Sequence, residues 1–313
     1  MSFAAMMLVA MVLDSAIGWP ARLYAVIGHP VTWIGGLIRW LDLSLNHDAA
    51  PDLSRRMAGV VAALVVIGGT CGAAWALQCA LPAGWLGILI GGVLAWPLLA
   101  LRAMYAHVAA VVSPLQNNDL VQARVAVSMI VGRNAAVLDE AGVARAAMES
   151  LAENTSDGIV APLFWGAIFG LPGIAAYKAI NTLDSMIGHR TPRFEAFGWA
   201  SARIDDLVNL IPARLTGAVF ALVSTAPRQA AKVMWRDAGL HRSPNAGWPE
   251  AAMAAGLAVR LSGPRVYADR IADEPWVNAG AADPTPADLQ RGLALYVRAM
   301  FVLGAALLGL ALV

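Results

Sequence analysis

Charge is what this sequence has least of. Only 14% of its 313 residues are Asp, Glu, Lys or Arg, against about 25% in an ordinary soluble domain. Hydrophobic residues make up 59% and mean hydropathy is +0.62, so a water-soluble globule with a charged shell is not the expected class. Lysine is almost missing: of 22 basic residues only Lys178 and Lys232 are not arginine, and arginine suits bidentate phosphate and carboxylate contacts. The two cysteines, Cys71 and Cys79, share one apolar run. Eight residues of helix would hold them about 12 Å apart, too far for a disulfide, so they read as free core thiols. HExxH, CxxC, Walker A and GxSxG patterns are absent, and the zinc, redox, P-loop and serine-hydrolase chemistries they mark are not indicated. The net charge of +1 gives no pull toward nucleic acid. The N-terminus lacks a basic n-region and an A-x-A-like cleavage site, so Met1 to Ile17 is expected to be a retained first membrane helix.

What is abundant is apolar runs of spanning length, at about 2–19, 57–80, 84–101, 159–177, 207–226 and 293–313. The second and third are joined by Leu81-Pro82-Ala83-Gly84, which predicts an antiparallel hairpin. Gly87 and Gly91 form a GxxxG step for close helix packing, and Trp85 and Trp96 suit interfacial or core positions. Polar stretches at 20–56, 102–158 and 227–292 separate the runs, the middle one reading as two or three soluble or interfacial helices. The first two polar stretches, 20–56 and 102–158, satisfy the positive-inside rule if the N-terminus is outside. Simple alternation then separates 178–206 from 227–292, unless 159–190 re-enters the membrane through a break at Leu171-Pro172-Gly173, a device tolerated where it lines a protein cavity. The expected fold is all-α: a polytopic integral membrane helical bundle of about five to six spans, with a re-entrant broken helix as an option and added interfacial or cytosolic helices, in one domain over residues 1–313.

Ionisable groups beside apolar runs are costly and are usually retained for function or specific pairing. They gather between Glu149 and Arg214. Glu149, Glu153 and Asp157 are spaced four apart and on one helix would form an acidic stripe with Asn154 beside it. Such a stripe suits Mg²⁺, which takes one or two carboxylates plus phosphate and water oxygens; a solvated face, with Ser156 or Asp157 capping the next helix, is the alternative. Lys178, Asn181, Asp184 and Ser185 follow steps of three and four, placing a cation, an amide, a carboxylate and a hydroxyl on one face. Arg190 and Arg193 in the following HRTPR loop suit a phosphate clamp. Arg203, Asp205, Asp206 and Asn209 precede the next run; Asp205 and Asn209 share a face, and only one of the adjacent aspartates can point into a common site. Arg214, inside that run, must face protein or a cavity. His29 follows the intramembrane Asp14. An N-T-x-D echo, Asn154 to Asp157 and Asn181 to Asp184, would suit the inverted repeats of a transporter, although four residues are a short match.

Those residues carry a resemblance. The segments RAAMESLAENTSDGIVAPLFW, YKAINTLDSMIGHR and FGWASARIDDLVNLIPARLTG, with SPNAGWPEAAMAAGLAVRL at 243–261 and an N-terminal block of Asp14, Gly18, Pro20, His29-Pro30-Val31 and Gly35, resemble the CobD/CbiB family of adenosylcobinamide-phosphate synthases over nearly the whole length. Two places depart from the family pattern: Trp19 stands where Gly-Asp-Pro is common, and Asn134 follows Arg133 where an Arg-Asp pair is common. No acid role is carried over there. The resemblance implies cobalamin biosynthesis by an ATP-dependent acid–amine ligase of the bacterial plasma membrane. A propionate carboxylate of adenosylcobyric acid would be joined to (R)-1-amino-2-propanol O-2-phosphate, or a related amino-alcohol phosphate, giving adenosylcobinamide phosphate. The cofactors implied are ATP and Mg²⁺, with the corrinoid as substrate; the partners are the lipid bilayer, a homo-oligomer or other enzymes of the pathway, and no nucleic acid. Expected catalytic residues are Glu153, Asp157, Asp184, Lys178 and His29, with Glu153, Asp157, Asp184 and Asp205 as metal ligands. Expected substrate and phosphate contacts are Asn154, Asn181, Ser185, Arg190, Arg193, Arg203, Asp205, Asp206, Asn209, Arg214 and Asn245. The competing reading is a non-catalytic corrinoid-binding membrane protein or a transporter.

Overall fold

The computed structural model describes residues 1–266 and 271–313. About 76% of the chain is helical, with almost no sheet. The helices are α1 (Phe3–Ile17), α2 (Ala21–Ile27), α3 (Pro30–Leu45), α4 (Asp52–Ala80), α5 (Trp85–Ala95), α6 (Leu101–Gln116), α7 (Leu120–Ser128), α8 (Glu140–Thr155), α9 (Ala161–Phe169), α10 (Leu171–Ile187), α11 (Trp199–Val208), α12 (Leu210–Val223), α13 (Pro227–Asp237), α14 (Gly247–Leu257) and α15 (Pro286–Leu312). A π turn, Ser156–Val160, joins α8 to α9. Among the described residues four two-residue strands, β1 (Leu261–Ser262), β2 (Arg265–Val266), β3 (Ile271–Ala272) and β4 (Trp276–Val277), form two antiparallel pairs, β1 with β4 and β2 with β3.

Among the described residues three stretches are long and apolar enough to cross a membrane: Asp52–Ala80, Trp85–Gln116 and Pro286–Leu312. Two bent pairs, Phe3–Ile17 with Ala21–Leu45 and Trp199–Val208 with Leu210–Val223, raise the number to five if each is one span. The expected span at 159–177 is instead divided at Gly170, whose φ of +70° suits glycine. The halves fold back on each other: a Cβ on Gly173 would lie 2.2 Å from Trp165 O, whereas eight residues of unbroken helix would separate them by about 12 Å. The expected first membrane helix, α1, has 15 residues and passes the length test only together with α2 and α3.

The chain divides into two compact units, each built from separated segments: unit 1 holds residues 1–100, 161–209 and 306–313, and unit 2 holds 101–160 and 210–305. In unit 1, residues at helical spacing meet in one core: Ile34, Ile38 and Leu41 of α3, Ala62, Ala63 and Val66 of α4, Ala179, Leu183 and Ile187 of α10, and Phe197. In lipid such contacts hold by close packing, because the tails outside are equally apolar. Small residues make the approach possible, and a Cβ on Gly59 would lie 1.8 Å from Phe197 O. The Gly87 and Gly91 step packs as expected, on α1, where a Cβ at Gly91 would meet Met6 Cε at 2.5 Å. The expected hairpin has the right turn but the wrong partners: α4 packs chiefly on α10 and α5 on α1. Nor are the two thiols core groups; Cys71 is half-buried and Cys79 exposed, both free.

Unit 2 surrounds α14, an alanine-rich helix buried along nearly its whole length. Its small side chains admit α12 and α13 closely, and a Cβ on Gly217 would lie 2.9 Å from Trp248 O. The stretch 102–158 holds three helices, α6 to α8, but α6 is not the soluble or interfacial helix expected: it continues the spanning-length stretch Trp85–Gln116.

Candidate active site

Unit 1 gathers polar groups between α10 and α11. Tyr177 Oη donates to Asn209 Oδ1 at 2.9 Å, and Asn209 Nδ2 donates to Asp205 Oδ2 at 3.0 Å. Asn209 is 1% exposed, so this chain fixes one oxygen of Asp205 in a dry setting. The other oxygen, Oδ1, is buried and accepts no hydrogen bond of normal geometry, with Asn181 close by. Asp184 and Asp206 lie within electrostatic range of it. A buried carboxylate oxygen without a partner is expensive, and two further acids nearby add repulsion. A cation or a donated proton would satisfy the arrangement. Of the adjacent aspartates, Asp205 is the inward one; Asp206 faces Arg203 across 3.4 Å at the surface.

The other unit 1 candidates divide by what already holds them. Lys178 is half-buried and interacts electrostatically with His29. His29 caps α3: its Nδ1 accepts the Val31 N–H at 3.2 Å and Thr32 closes the capping box. A neutral ring with Nδ1 accepting carries its proton on Nε2, which suits donation rather than proton abstraction. Ser185 is exposed and donates to Asn181 O. Arg193 is tied to Asp42 at 2.8 Å, and the buried Arg55 anchors the same loop through Pro192 O and Arg193 O. Arg190 and Arg203 are exposed.

Unit 2 holds the rest. Of the acidic stripe, Glu149 and Glu153 lie four apart on α8 and Asp157 lies beyond its end. Glu149 is buried, bound through Oε2 to Arg133 at 2.7 Å and through Oε1 to the Ser262 N–H at 2.8 Å. Glu153 and Asn154 are exposed, with Asn154 Nδ2 donating to Ser150 O. Asp157 lies in the π turn, where one extra residue per turn breaks the four-residue register; π bulges recur at functional sites. Ser156 Oγ, foreseen as a cap, is buried and without a hydrogen-bond partner among the described residues. The turn packs on α12, the helix of Arg214. That guanidinium donates to Leu210 O at 2.7 Å and sits 4.4 Å from the Trp248 ring, a cation–π seat rather than an aspartate pair. Asn245 is buried just before α14, its N–H donating to Ser243 Oγ. Asn134 caps the next turn by accepting the Ala136 N–H at 3.0 Å, the local task an aspartate would perform. The N-T-x-D echo has no structural counterpart, since one copy runs into the π turn and the other lies in regular α10.

Sequence reasoning missed several groups. Tyr177 orients Asn209 across 32 positions. Arg145 and Arg260 both bind Asp283, at 2.6 Å each, and both lie against Trp276, at 4.6 and 4.1 Å. His241 Nε2 faces Glu250 Oε1 at 3.7 Å, both buried. Asp237 accepts a fork from Arg236 and the Asn278 N–H at 2.8 Å; the Arg236 hydrogen bonds hold its carboxyl below the usual range against the cost of burial. Each of these, Arg236–Asp237 apart, joins residues with no local spacing signal. Among the described residues no group of three or more His, Cys, Asp or Glu is arranged to hold a metal.

An almost wholly helical, membrane-type protein with buried carboxylates and amides on short helices is the class these features define. Within that class the chain belongs to the CobD/CbiB family, whose profile, described as "CobD/Cbib protein", matches residues 7–296. It is 68% identical over 300 residues to the cobalamin biosynthesis protein CobD of Rhodobacter capsulatus, covering 96% of this chain and 95% of that one. It is 45% identical to the protein of that name from a Sinorhizobium species, covering 97% of both chains, and 44% identical to that of Brucella suis, covering 96% of both. No solved structure matches.

Proposed function

We propose that this chain acts in cobalamin biosynthesis as an ATP-dependent acid–amine ligase, a multi-pass protein of the bacterial plasma membrane with five spans when both bent helix pairs cross. The observation that carries the reading is Asp205, oriented by Tyr177 and Asn209 with one oxygen uncommitted beside Asp184, in a chain of this family. The reaction joins a propionate carboxylate of adenosylcobyric acid to the amine of (R)-1-amino-2-propanol O-2-phosphate or a related amino-alcohol phosphate. A carboxylate is a poor electrophile. Its oxygen attacks the γ-phosphorus of ATP, ADP leaves, and an acyl phosphate results. The amine then attacks the acyl carbon, phosphate leaves, and a base takes the amine proton.

The residues supply the matching parts. Asp184 and Asp205 offer hard oxygen donors that fit Mg²⁺, which needs only one or two carboxylates when phosphates complete its shell; Glu153 and Asp157 are the second carboxylate set. Bound Mg²⁺ supplies charge neutralisation to the nucleotide phosphates. Lys178, Arg190 and Arg203 offset charge that builds on transferred phosphoryl oxygens, while Arg193 serves first to hold its loop against Asp42. A carboxylate is the better amine base than His29, whose Nδ1 is committed to its cap.

The test is purified protein in detergent with Mg²⁺-ATP, adenosylcobyric acid and aminopropanol phosphate, read by mass spectrometry of the corrinoid. Adenosylcobinamide phosphate that depends on all three substrates is expected. Folded protein that yields no product and consumes no ATP would overturn the ligase in favour of a corrinoid binder or transporter.

A further inference from the structure

Helices α12 and α13 present two unlike rows side by side on unit 2. On α12 the exposed residues Ile211, Leu215, Ala218 and Leu222 follow steps of four, three and four, so one outward stripe is wholly apolar. On α13 the outward side chains include Arg228, Lys232, Trp235 and Arg236. Arg228 and Lys232 stand one turn apart, with no hydrogen bond or ion pair among the described residues. Asp237 is the only acid on either helix, and the Arg236 fork takes it. The helices run antiparallel. Residues 224–226 link them, and a Cβ on Gly217 would lie 2.7 Å from Met234 Sδ, so two turns into α13 the chain is back beside the middle of α12. Trp235 is 71% exposed, with its ring 4.9 Å from the Trp248 ring, edge to face.

We infer that the α12–α13 hairpin lies in the plane of the membrane surface, with Arg228 and Lys232 on anionic phospholipid headgroups and the Ile211 to Leu222 stripe at the acyl boundary. Fourteen residues make α12 about 21 Å long, short of a hydrocarbon core of about 30 Å. Stood upright beside its apolar stripe, α13 would carry exposed cations into hydrocarbon, where they are costly. Laid flat, the stripe meets acyl chains, the cations stand level with phosphates, and Trp235 takes the interfacial place that suits an indole. A soluble phosphate would use the cations but leave the apolar stripe in water. A second copy would cover the stripe but bring no acid from these helices to the cations. The inference rests on the chain being a membrane protein, not on the ligase chemistry, and it means that the bent pair ending in α12 does not complete a span.

The experiment reconstitutes the full chain, carrying Cys71→Ala and Cys79→Ala, in vesicles of phosphatidylglycerol and phosphatidylcholine. Ile211→Cys and Leu222→Cys, both at exposed positions, are spin-labelled one at a time. Relaxation by oxygen against a water-soluble nickel chelate reads the depth of each label. Both labels should favour oxygen and lie within about 5 Å of one depth, whereas eleven residues of upright helix would separate them by about 16 Å. A difference above about 10 Å would overturn the inference. So would labels open only to the chelate, the sign of water, or labels closed to both reagents, the sign of a protein partner. A second arm counts lipids retained in detergent by native mass spectrometry. Phosphatidylglycerol should be preferred over phosphatidylcholine, and the exposed-site variants Arg228→Gln and Lys232→Gln should each cut that preference about fivefold. An unchanged preference in the double variant would overturn the headgroup contact. Loss of the preference in inorganic phosphate but not in sodium chloride of equal ionic strength would do the same, in favour of a soluble phosphate site. Protein that cannot be reconstituted would overturn the membrane reading too; reconstituted protein with unequal depths overturns this inference alone.

Discussion

Replacing Glu149 with glutamine removes one charge and almost no volume. Both partners of its ion pair are sequestered: the side chains of Arg133 and Glu149 are 9% and 7% exposed, with oxygen and nitrogen 2.7 Å apart. The Glu149→Gln amide oxygen can still accept the Ser262 N–H, so that contact survives. What is lost is the charge opposite Arg133, leaving a buried guanidinium uncompensated at a cost of about 3–5 kcal/mol. For a unit of this size that lowers the apparent melting temperature by on the order of 10 °C, measured by differential scanning fluorimetry in detergent. Adding Arg133→Met to Glu149→Gln should recover most of the loss, since it removes the uncompensated charge while the glutamine still accepts the Ser262 N–H. Unchanged melting of Glu149→Gln with abolished product formation would refute the reasoning and return Glu149 to the catalytic acids.

Three further outcomes follow from the geometry. Gly59→Ala drives a methyl into the Phe197 carbonyl at 1.8 Å and should destabilise by roughly 1–3 kcal/mol, whereas Gly68→Ala on the same helix meets open space and should gain up to about 1 kcal/mol in thermal unfolding. Asp205→Asn should lower product formation at least about 100-fold. Asp206→Asn, which loosens a surface ion pair with Arg203 and leaves the Asn209 hydrogen bond to Asp205 in place, should stay within about fivefold of the parent. Asp237 has a folded pKa below its unfolded value because Arg236 stabilises the carboxylate. Its contribution is therefore fully present above the usual aspartate range and is lost as pH falls through the depressed folded value. Asp237→Asn should flatten the acid limb of a stability–pH curve recorded between about pH 6 and 3, and an unaltered limb would exclude this linkage.

Helix content, the small-residue packing face and the break near Pro172 were legible because each depends on local pattern. Partner choice was not. The Leu81 to Gly84 turn announces two helices in sequence, but nothing local says that α4 will pack on α10 and α5 on α1. The acidic residues part company for two reasons: Asp157 lies in the π turn at Ser156–Val160, outside regular α8, and within α8 Glu149 is buried while Glu153 is exposed. Glu149 then found Arg133 and Ser262, the latter 113 positions away. The pairing of Asp205 with Asn209 was readable from their shared face, while the contribution of Tyr177 from another helix was not.

The interleaving of the two units has a consequence for biogenesis. Helix α4 ends at Ala80, and the helix it packs against, α10, begins at Leu171. At about 5–20 residues per second, the ribosome needs roughly 5–20 s to deliver that partner. Until then the face of α4 bearing Ala62, Ala63 and Val66 must lodge against lipid or an insertion chaperone. Residues 306–313, which complete unit 1, emerge only after all of unit 2 (101–160 and 210–305), so unit 1 cannot close before unit 2 has been synthesised.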